Sequence, residues 1–223
     1  MSVTNAAPPE FDRTQLAAGA AQLGLALTVG QVDNLERFGA LLRHWNRTHN
    51  LTRIDAGEAL ITHHLLDSLA VARPLQLALV GARQQPARVL DVGAGGGLPG
   101  VPLAVACPDL RFTLVDAVQK KTAFLTQAVL ELGLRNVEVR HARVESMQGE
   151  FDVITARAFA SLADFVARTR HLLAPGGRWF AMKGRVDAAE LAALPASVVV
   201  GGVLPLAVPG LEEERHLIEV HPT

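Results

Sequence analysis

Cysteine is nearly absent. Cys107 is the single one in 223 residues, so the chain has no internal disulfide and no cysteine-built zinc site, and its thiol content implies no oxidising compartment. Long uninterrupted apolar runs are also missing, which argues against a bilayer-spanning helix and against a membrane partner. Met1 to Glu10 carry Pro8 and Pro9 but lack the basic start and apolar stretch of a secretory signal. They are expected to form a loose tail, and a cytoplasmic location fits. Without such a signal, the glycosylation-like triplets Asn46-Arg-Thr48 and Asn50-Leu-Thr52 have no role as acceptors. Neither sign of charge dominates: 21 Lys and Arg stand against 22 Asp and Glu, for a net charge of −1. A wholesale polyanion binder is disfavoured, and any contact with nucleic acid must come from local basic patches.

What is present is the balance of a globular protein, 49% apolar and 19% charged, in a chain long enough for one α/β domain with a smaller appendage. The pattern changes at Gly81-Ala-Arg-Gln-Gln-Pro86. Before it, Leu35, Phe38, Leu41, Leu42 and Trp45 recur at helical spacing, as do Leu60, Ile61, Leu65 and Leu69. Two amphipathic helices are predicted, joined by a loop over Asn50 to Asp55 in which Asp55 and Glu58 resemble a helix-start capping pair. After it, strand-like stretches (Arg88–Val92, Arg111–Asp116, Val137–Arg140, Asp152–Thr155, Arg178–Met182) alternate with helical ones, notably Gln119–Leu132 and Leu162–Leu173. Such alternation predicts βαβ units and a mainly parallel sheet with helices on both faces. Ser197–Val203 and His216–Val220 would add two edge strands. The expected organisation is a tail over 1–12, a helical extension over 13–84 and a Rossmann-like core over 85–223.

The most informative segment is Val89-Leu-Asp-Val-Gly-Ala-Gly-Gly-Gly-Leu-Pro-Gly100, a strand running through glycines into a proline-initiated helix. Glycine permits a sharp turn and lets backbone amides approach a ligand above the strand ends. A phosphate-cradling P-loop would end in Gly-Lys-Ser/Thr, whereas this loop ends Leu98-Pro99-Gly100. Gly95, Gly97 and Gly100 do satisfy the dinucleotide pattern, so a nicotinamide- or flavin-dependent oxidoreductase stays open. Asp91, directly before the glycines, would repel pyrophosphate but orient the loop or bind an ammonium. Asp116, ending the next strand, would accept hydrogen bonds from ribose hydroxyls. Both tilt the choice towards a methyl donor. Downstream, Val144 would pack on an adenine ring, within Ala142-Arg-Val-Glu145.

Which acceptor follows is argued by absence. Methylating carbon 5 of a pyrimidine needs a cysteine nucleophile, and Cys107 is badly placed, late in the helix after the glycines. Exocyclic amines call for an Asn/Asp-Pro-Pro-aromatic motif, where this chain reads Thr155-Ala-Arg-Ala-Phe159. Guanine nitrogen 7 already presents a lone pair and needs no general base, so a site without nucleophile machinery is consistent with it. His64, Asp67 and Ser68 share one face of a helix, but side chains diverging from a single helix make a poor hydrolytic triad. His63 beside His64 lacks metal-ligand spacing, no metal is expected, and no residue is assigned as a catalyst.

From about Trp45 to His216 the sequence resembles the ribosomal RNA small-subunit methyltransferase G family, also called glucose-inhibited division protein B. The resemblance rests on Asn50-Leu-Thr52, His64-Leu-Leu-Asp-Ser68, Asp91 to Pro102, Arg157-Ala-Phe-Ala-Ser-Leu162, Lys183-Gly184 and Glu214-Arg-His216. It implies a class I methyltransferase fold, S-adenosylmethionine as donor, and methylation of guanine nitrogen 7 at position 527 of 16S ribosomal RNA, on free RNA or the small subunit, by a monomer. Donor contacts carried over by motif are Gly93, Leu98, the Asp116-Ala117-Val118 turn, Val144, Glu145 and Arg157, to which the loop logic adds Gly95 and Gly97. Asn50, Thr52, Arg53, His64, Asp67, Ser68 and Lys183 are substrate-side candidates. Ala94 and Gly96 depart from the Thr or Ser and Pro frequent in relatives, which alters loop stiffness more than donor contacts. Candidate phosphate contacts are Arg43, Arg47, Arg53, Lys120, Lys121, Arg157, Lys183 and Arg185. A donor-binding protein that acts on a small molecule is the remaining alternative.

Overall fold

The computed structural model describes residues 11–53, 57–82, 85–157, 159 and 161–223. Most of the expected tail, the Asp55 capping position, and Ala158 and Ala160 of the Arg157 motif lie outside the described residues.

Helices α1 (Arg13–Gln22) and α2 (Val29–His49) come first. Thr28 and Gln31 cap α2 reciprocally, each side chain taking the other's backbone amide. The helix ends where Asn50 turns left-handed at φ 49°. The stretch from Leu60 to Leu69 is helical, as its apolar spacing predicts, but not uniformly α: α3 (Gly57–Leu60) and α4 (Asp67–Leu69) flank a π-turn over Ile61–Leu66. The wider turn breaks the three-and-four register. Thr62, His64, Asp67 and Ser68 are all buried, so the polar side chains of this stretch pack inside the fold. Helix α5 (Ala72–Ala78) completes the run.

Strands β1 (Arg88–Val92), β2 (Arg111–Asp116), β3 (Val137–His141), β4 (Phe151–Arg157), β5 (Leu173–Lys183), β6 (Val198–Pro205) and β7 (His216–Pro222) form one seven-stranded sheet in the order β3-β2-β1-β4-β5-β7-β6. The first five are parallel, and β7 runs antiparallel between β5 and β6. Chain order reverses at β1, between β2 and β4, which opens a crevice at the carboxyl ends of these strands. Helices α6 (Gly100–Ala106), α7 (Gln119–Leu132), α8 (Leu162–Thr169) and α9 (Ala188–Ala192) follow.

Strand alternation separates two cores. Val89, Phe112, Leu114, Val153 and Phe180 pack with α1, α2, α6 and α7 through Leu16, Leu35, Val101 and Phe124. Leu90, Ile154, Trp179 and Val220 pack on the other side with Phe165 and Val166 of α8. The structure ends α8 at Thr169, short of the predicted Leu173, and Leu173 already opens β5. Between the pairs Phe151/Leu173 and Val153/Arg178, β5 takes five steps where β4 takes two, a bulge that absorbs Pro175-Gly-Gly177.

Candidate functional site

Backbone builds the turn after β1. Gly93 and Ala94 both donate to Val115 O, at 2.9 and 3.0 Å, and Gly97 donates to Ala94 O at 2.7 Å. Gly93, Gly95 and Gly97 have φ of 68°, 55° and 78°, a region that side chains avoid. At Gly93 an added Cβ would meet nothing within 4 Å, so this part of the turn faces open space. Gly100 is the reverse case: a Cβ there would sit 2.3 Å from Leu114 and 2.6 Å from Asp91 Oδ2. That close approach brings the start of α6 onto β1. Pro99 stands just outside the helix, and Gly100 is its first residue.

Two carboxylates hold the turn. Asp91 is wholly buried and its Oδ2 accepts from the Gly100 amide at 2.9 Å. Burial pushes its carboxyl from 3.8 to about 7, against the Gly100 amide and the Arg157 charge, which draw it down. Its role in the fold is therefore to cap the turn. Asp116 accepts from the Gly95 amide through Oδ2 at 3.0 Å and from the Val118 amide through Oδ1 at 2.9 Å, with Lys121 at 3.6 Å. Sequence reasoning offers this carboxylate to ribose hydroxyls alone, but both of its oxygens already anchor backbone.

A second structure adjoins the turn. Asp91 is in register with Thr155 of β4, and Arg157, two residues on, lines a cavity of about 280 Å3 with His63, His64, Asp67, Lys183 and Arg215. Asp67, 2% exposed, lies between two guanidiniums: Arg157 at 3.3 Å from Oδ2 and Arg215 at 3.2 Å from Oδ1. Burial raises the Asp67 pKa while the two arginines lower it. Arg157 also donates to His63 O at 3.2 Å. The connection between β6 and β7 closes over the π-turn, with Glu213 3.3 Å from His63 and Gly210 against Thr62.

The His64, Asp67, Ser68 triad does not form. His64 Nε2 is 2.6 Å from Thr52 Oγ1 and its Nδ1 is 2.9 Å from His63 O, while Asp67 is held by arginines. Thr52 in turn donates its amide to Asn46 Oδ1 at 2.8 Å. Among the described residues, the hydroxyls of Ser68 and Thr155 and Oδ1 of Asp67 and Asp91 are buried without a hydrogen-bond partner, Asp67 Oδ1 keeping only its ion pair with Arg215. Cys107 is buried near Gln76, its thiol pushed up to about 11 by burial, which leaves no nucleophile there.

Other predicted residues are scattered. Lys183, ending β5, pairs with Glu190 at 2.8 Å. Exposed Glu145 pairs with Arg168 at 2.9 Å, and Val144 is buried beside it. Leu98 is buried behind the turn, Ala117 and Val118 are exposed at its rim, and Arg53 is exposed. Asn50 serves as the left-handed cap of α2. Arg215 and Met182 are cavity residues that motif reading did not single out as site residues. The signal for Arg215 was its place within Glu214-Arg-His216, and for Met182 only its position near the end of a strand.

The sheet order with its antiparallel β7, and the glycine turn at the switch point, define the class I S-adenosylmethionine-dependent methyltransferase fold. The magnesium protoporphyrin IX methyltransferase of Synechocystis PCC 6803, solved with bound S-adenosylmethionine, superposes with a TM-score of 0.59 at 10% identity over 83% of this chain and 97% of that one. TrmN from Thermus thermophilus gives 0.52 at 20% identity over 73% and 53%. More specifically, residues 31–218 match the profile of rRNA small subunit methyltransferase G, and the chain belongs to that family. Proteins named ribosomal RNA small subunit methyltransferase G from Ralstonia nicotianae and Chromobacterium violaceum are 52% and 51% identical, over 95% and 92% of this chain and 96% of each relative. Membership decides against the oxidoreductase that the Gly95, Gly97, Gly100 pattern left open.

Proposed function

We propose that the chain transfers a methyl group from S-adenosylmethionine to nitrogen 7 of a guanine, position 527, in 16S ribosomal RNA, acting as a monomer in the cytoplasm. The observation that carries this is the junction of the glycine turn with the arginine-lined cavity at the ends of β1, β4 and β5. It offers one place for a donor and, beside it, one for a base taken out of its stack.

The residues present fit the donor. Gly93 leaves open space, Gly95 and Gly97 keep side chains out of the turn, and Leu98 backs it. Asp116 keeps lone pairs beyond the two amides it accepts, enough for ribose hydroxyls. Ala117, Val118, Val144 and Glu145 would border the adenine, and Arg157 the methionine end. S-adenosylmethionine supplies an electrophilic methyl on a sulfonium. The chain's own work is alignment and exclusion of water. Thr52 and His64 brace the wall between α2 and the π-turn, Asp67 orients Arg157, and Lys183 closes the β5 side. Asn50, Arg53 and Ser68 remain on the substrate side, Arg53 as a phosphate contact. Asp67 is ion-paired with two arginines and Cys107 is inert, which suits an acceptor nitrogen that carries no proton to remove.

The test is methyl transfer from labelled S-adenosylmethionine to 16S RNA and to small subunits, with the modified base mapped. A labelled guanine at nitrogen 7 is the expected outcome. No transfer to either substrate, or a different modified atom, would sink the reading.

A further inference from the structure

The link from β3 to β4, residues 142–150, holds only a 3-10 turn over Val144–Ser146. A parallel crossover ordinarily carries a helix that covers the sheet. Here the α8 side of the sheet is left open over its outer strands: Arg111, Glu138 and Arg140 are exposed. At the amino ends of the strands, opposite the glycine turn, this opening is a cavity of about 470 Å3 lined by Arg88, Arg111, Thr113, Arg135 and Glu138 among others.

The charge there is not neutralised by a carboxylate among the described residues. Arg88 and Arg111 are register partners on neighbouring strands, so both guanidiniums leave the same face, where like charges opposite one another destabilise a sheet. Arg88 stacks on the Phe151 ring at 5.0 Å, and Asp152 accepts its backbone amide rather than its guanidinium. Among the described residues no carboxylate pairs with Arg88, Arg111 or Arg135. Glu138 pairs with Arg140 at 2.6 Å. A chain of net charge −1 thus gathers around one uncovered cleft three guanidiniums that no carboxylate neutralises among the described residues.

We propose that this face binds a phosphodiester segment of the RNA substrate, at a second site remote from the modified base. The inference rests on the reading that the substrate is RNA. Bound phosphates relieve the arginine–arginine repulsion and release counterions. The two sites lie at opposite ends of β1, about 13 Å apart along the strand, and RNA flanking the target reaches the second by running over the open face of the outer strands.

Charge reversal at the two exposed arginines, Arg111→Glu with Arg135→Glu, tests it, because neither side chain packs in the core and neither touches the donor turn. S-adenosylhomocysteine affinity should match the unaltered chain and Tm should hold or rise slightly, because Arg111→Glu replaces the repulsion opposite Arg88 by attraction. Affinity for 16S RNA, titrated across a salt series, should fall about tenfold or more, with the slope of log K against log salt flattened by about 0.7–0.9 for each phosphate no longer neutralised. Transfer at saturating RNA should persist. If the unaltered chain methylates RNA and the double variant keeps its RNA affinity and slope, the inference is overturned while the functional reading stands. If the unaltered chain transfers nothing to RNA, both fall. Inorganic pyrophosphate separates the sources of phosphate: if the variant no longer binds it while RNA affinity is unchanged, this is a small-anion site and the RNA role is rejected.

Discussion

The turn after β1 and the cavity at the ends of β4 and β5 share one edge of the sheet but are made from different materials. The turn is backbone: glycines at positive φ, amides donating to Val115 and Ala94, and two carboxylates that tie it down. The cavity is side chains drawn from three distant stretches, with Asp67 from the start of α4, Arg157 from β4 and Arg215 from the strand connection. Backbone turns demand particular residue types at consecutive positions. Ion pairs between distant stretches demand only that the fold bring them together. The first should therefore tolerate almost no change in shape, the second almost no change in charge.

Gly100→Ala is the most severe trial of that contrast. Its Cβ would overlap Leu114 and Asp91, where the neighbours are core rather than flexible surface, and a cost of about 3 kcal/mol is expected. Chemical denaturation would show it, and an unchanged midpoint would mean that α6 can shift away. Asp67→Ala should cost nearly as much, about 2–3 kcal/mol, below the full cost of breaking a buried pair because Arg157 and Arg215 keep some access to water. Its transfer rate should fall, and S-adenosylhomocysteine affinity should fall less than in a change to the turn, because Asp67 reaches the donor only through Arg157. Asp116→Ala should weaken donor binding by on the order of 1.5–3 kcal/mol, since the side chain offered to the ribose hydroxyls is removed together with the tie it makes to the Gly95 and Val118 amides. Calorimetry with S-adenosylhomocysteine reads that directly, and an unaltered Kd would remove Asp116 from the donor site.

A subtler comparison concerns pH. The Asp91 carboxyl lies at about 7 when folded and 3.8 as its ordinary value. Between these values the folded chain holds a proton that the unfolded chain has released, so this group lowers stability as pH rises from about 4 to 7. Asp91→Asn can still accept from Gly100 and should flatten that part of the stability profile. A profile as steep as before would show that the carboxyl ionises freely inside the fold. The smallest effect is expected from Arg53→Ala, on the exposed loop after α2: a modest drop in RNA affinity with a shallower salt dependence. An identical slope would clear Arg53 of any phosphate role.

Much of the turn is readable in the order of residues, because Asp91, the glycines and Pro99 occupy consecutive positions whose conformational demands are local. The five parallel strands are legible for the same reason, their apolar runs being bounded by Gly, Pro and Asp. Legibility fails at Leu60 to Leu69, where the apolar spacing reads as α-helix and the chain adopts a π-turn. It fails again at Leu173, whose place in a strand depends on a bulge opposite Phe151. Arg215 was visible only as part of a family-like segment, and its pairing with Asp67 spans most of the chain.

By itself, then, the sequence determined the alternation of strands and helices, the turn that could admit a donor, and the family to which the chain belongs. Local sterics and side-chain periodicity suffice for the first two, and close likeness to relatives for the third. Only tertiary structure decided that Asp116 anchors Gly95 and Val118, that Asp67 is bound between two arginines, and that one sheet face is left open beside Arg88 and Arg111. Each of those depends on distances between residues far apart in the chain, which no local spacing encodes.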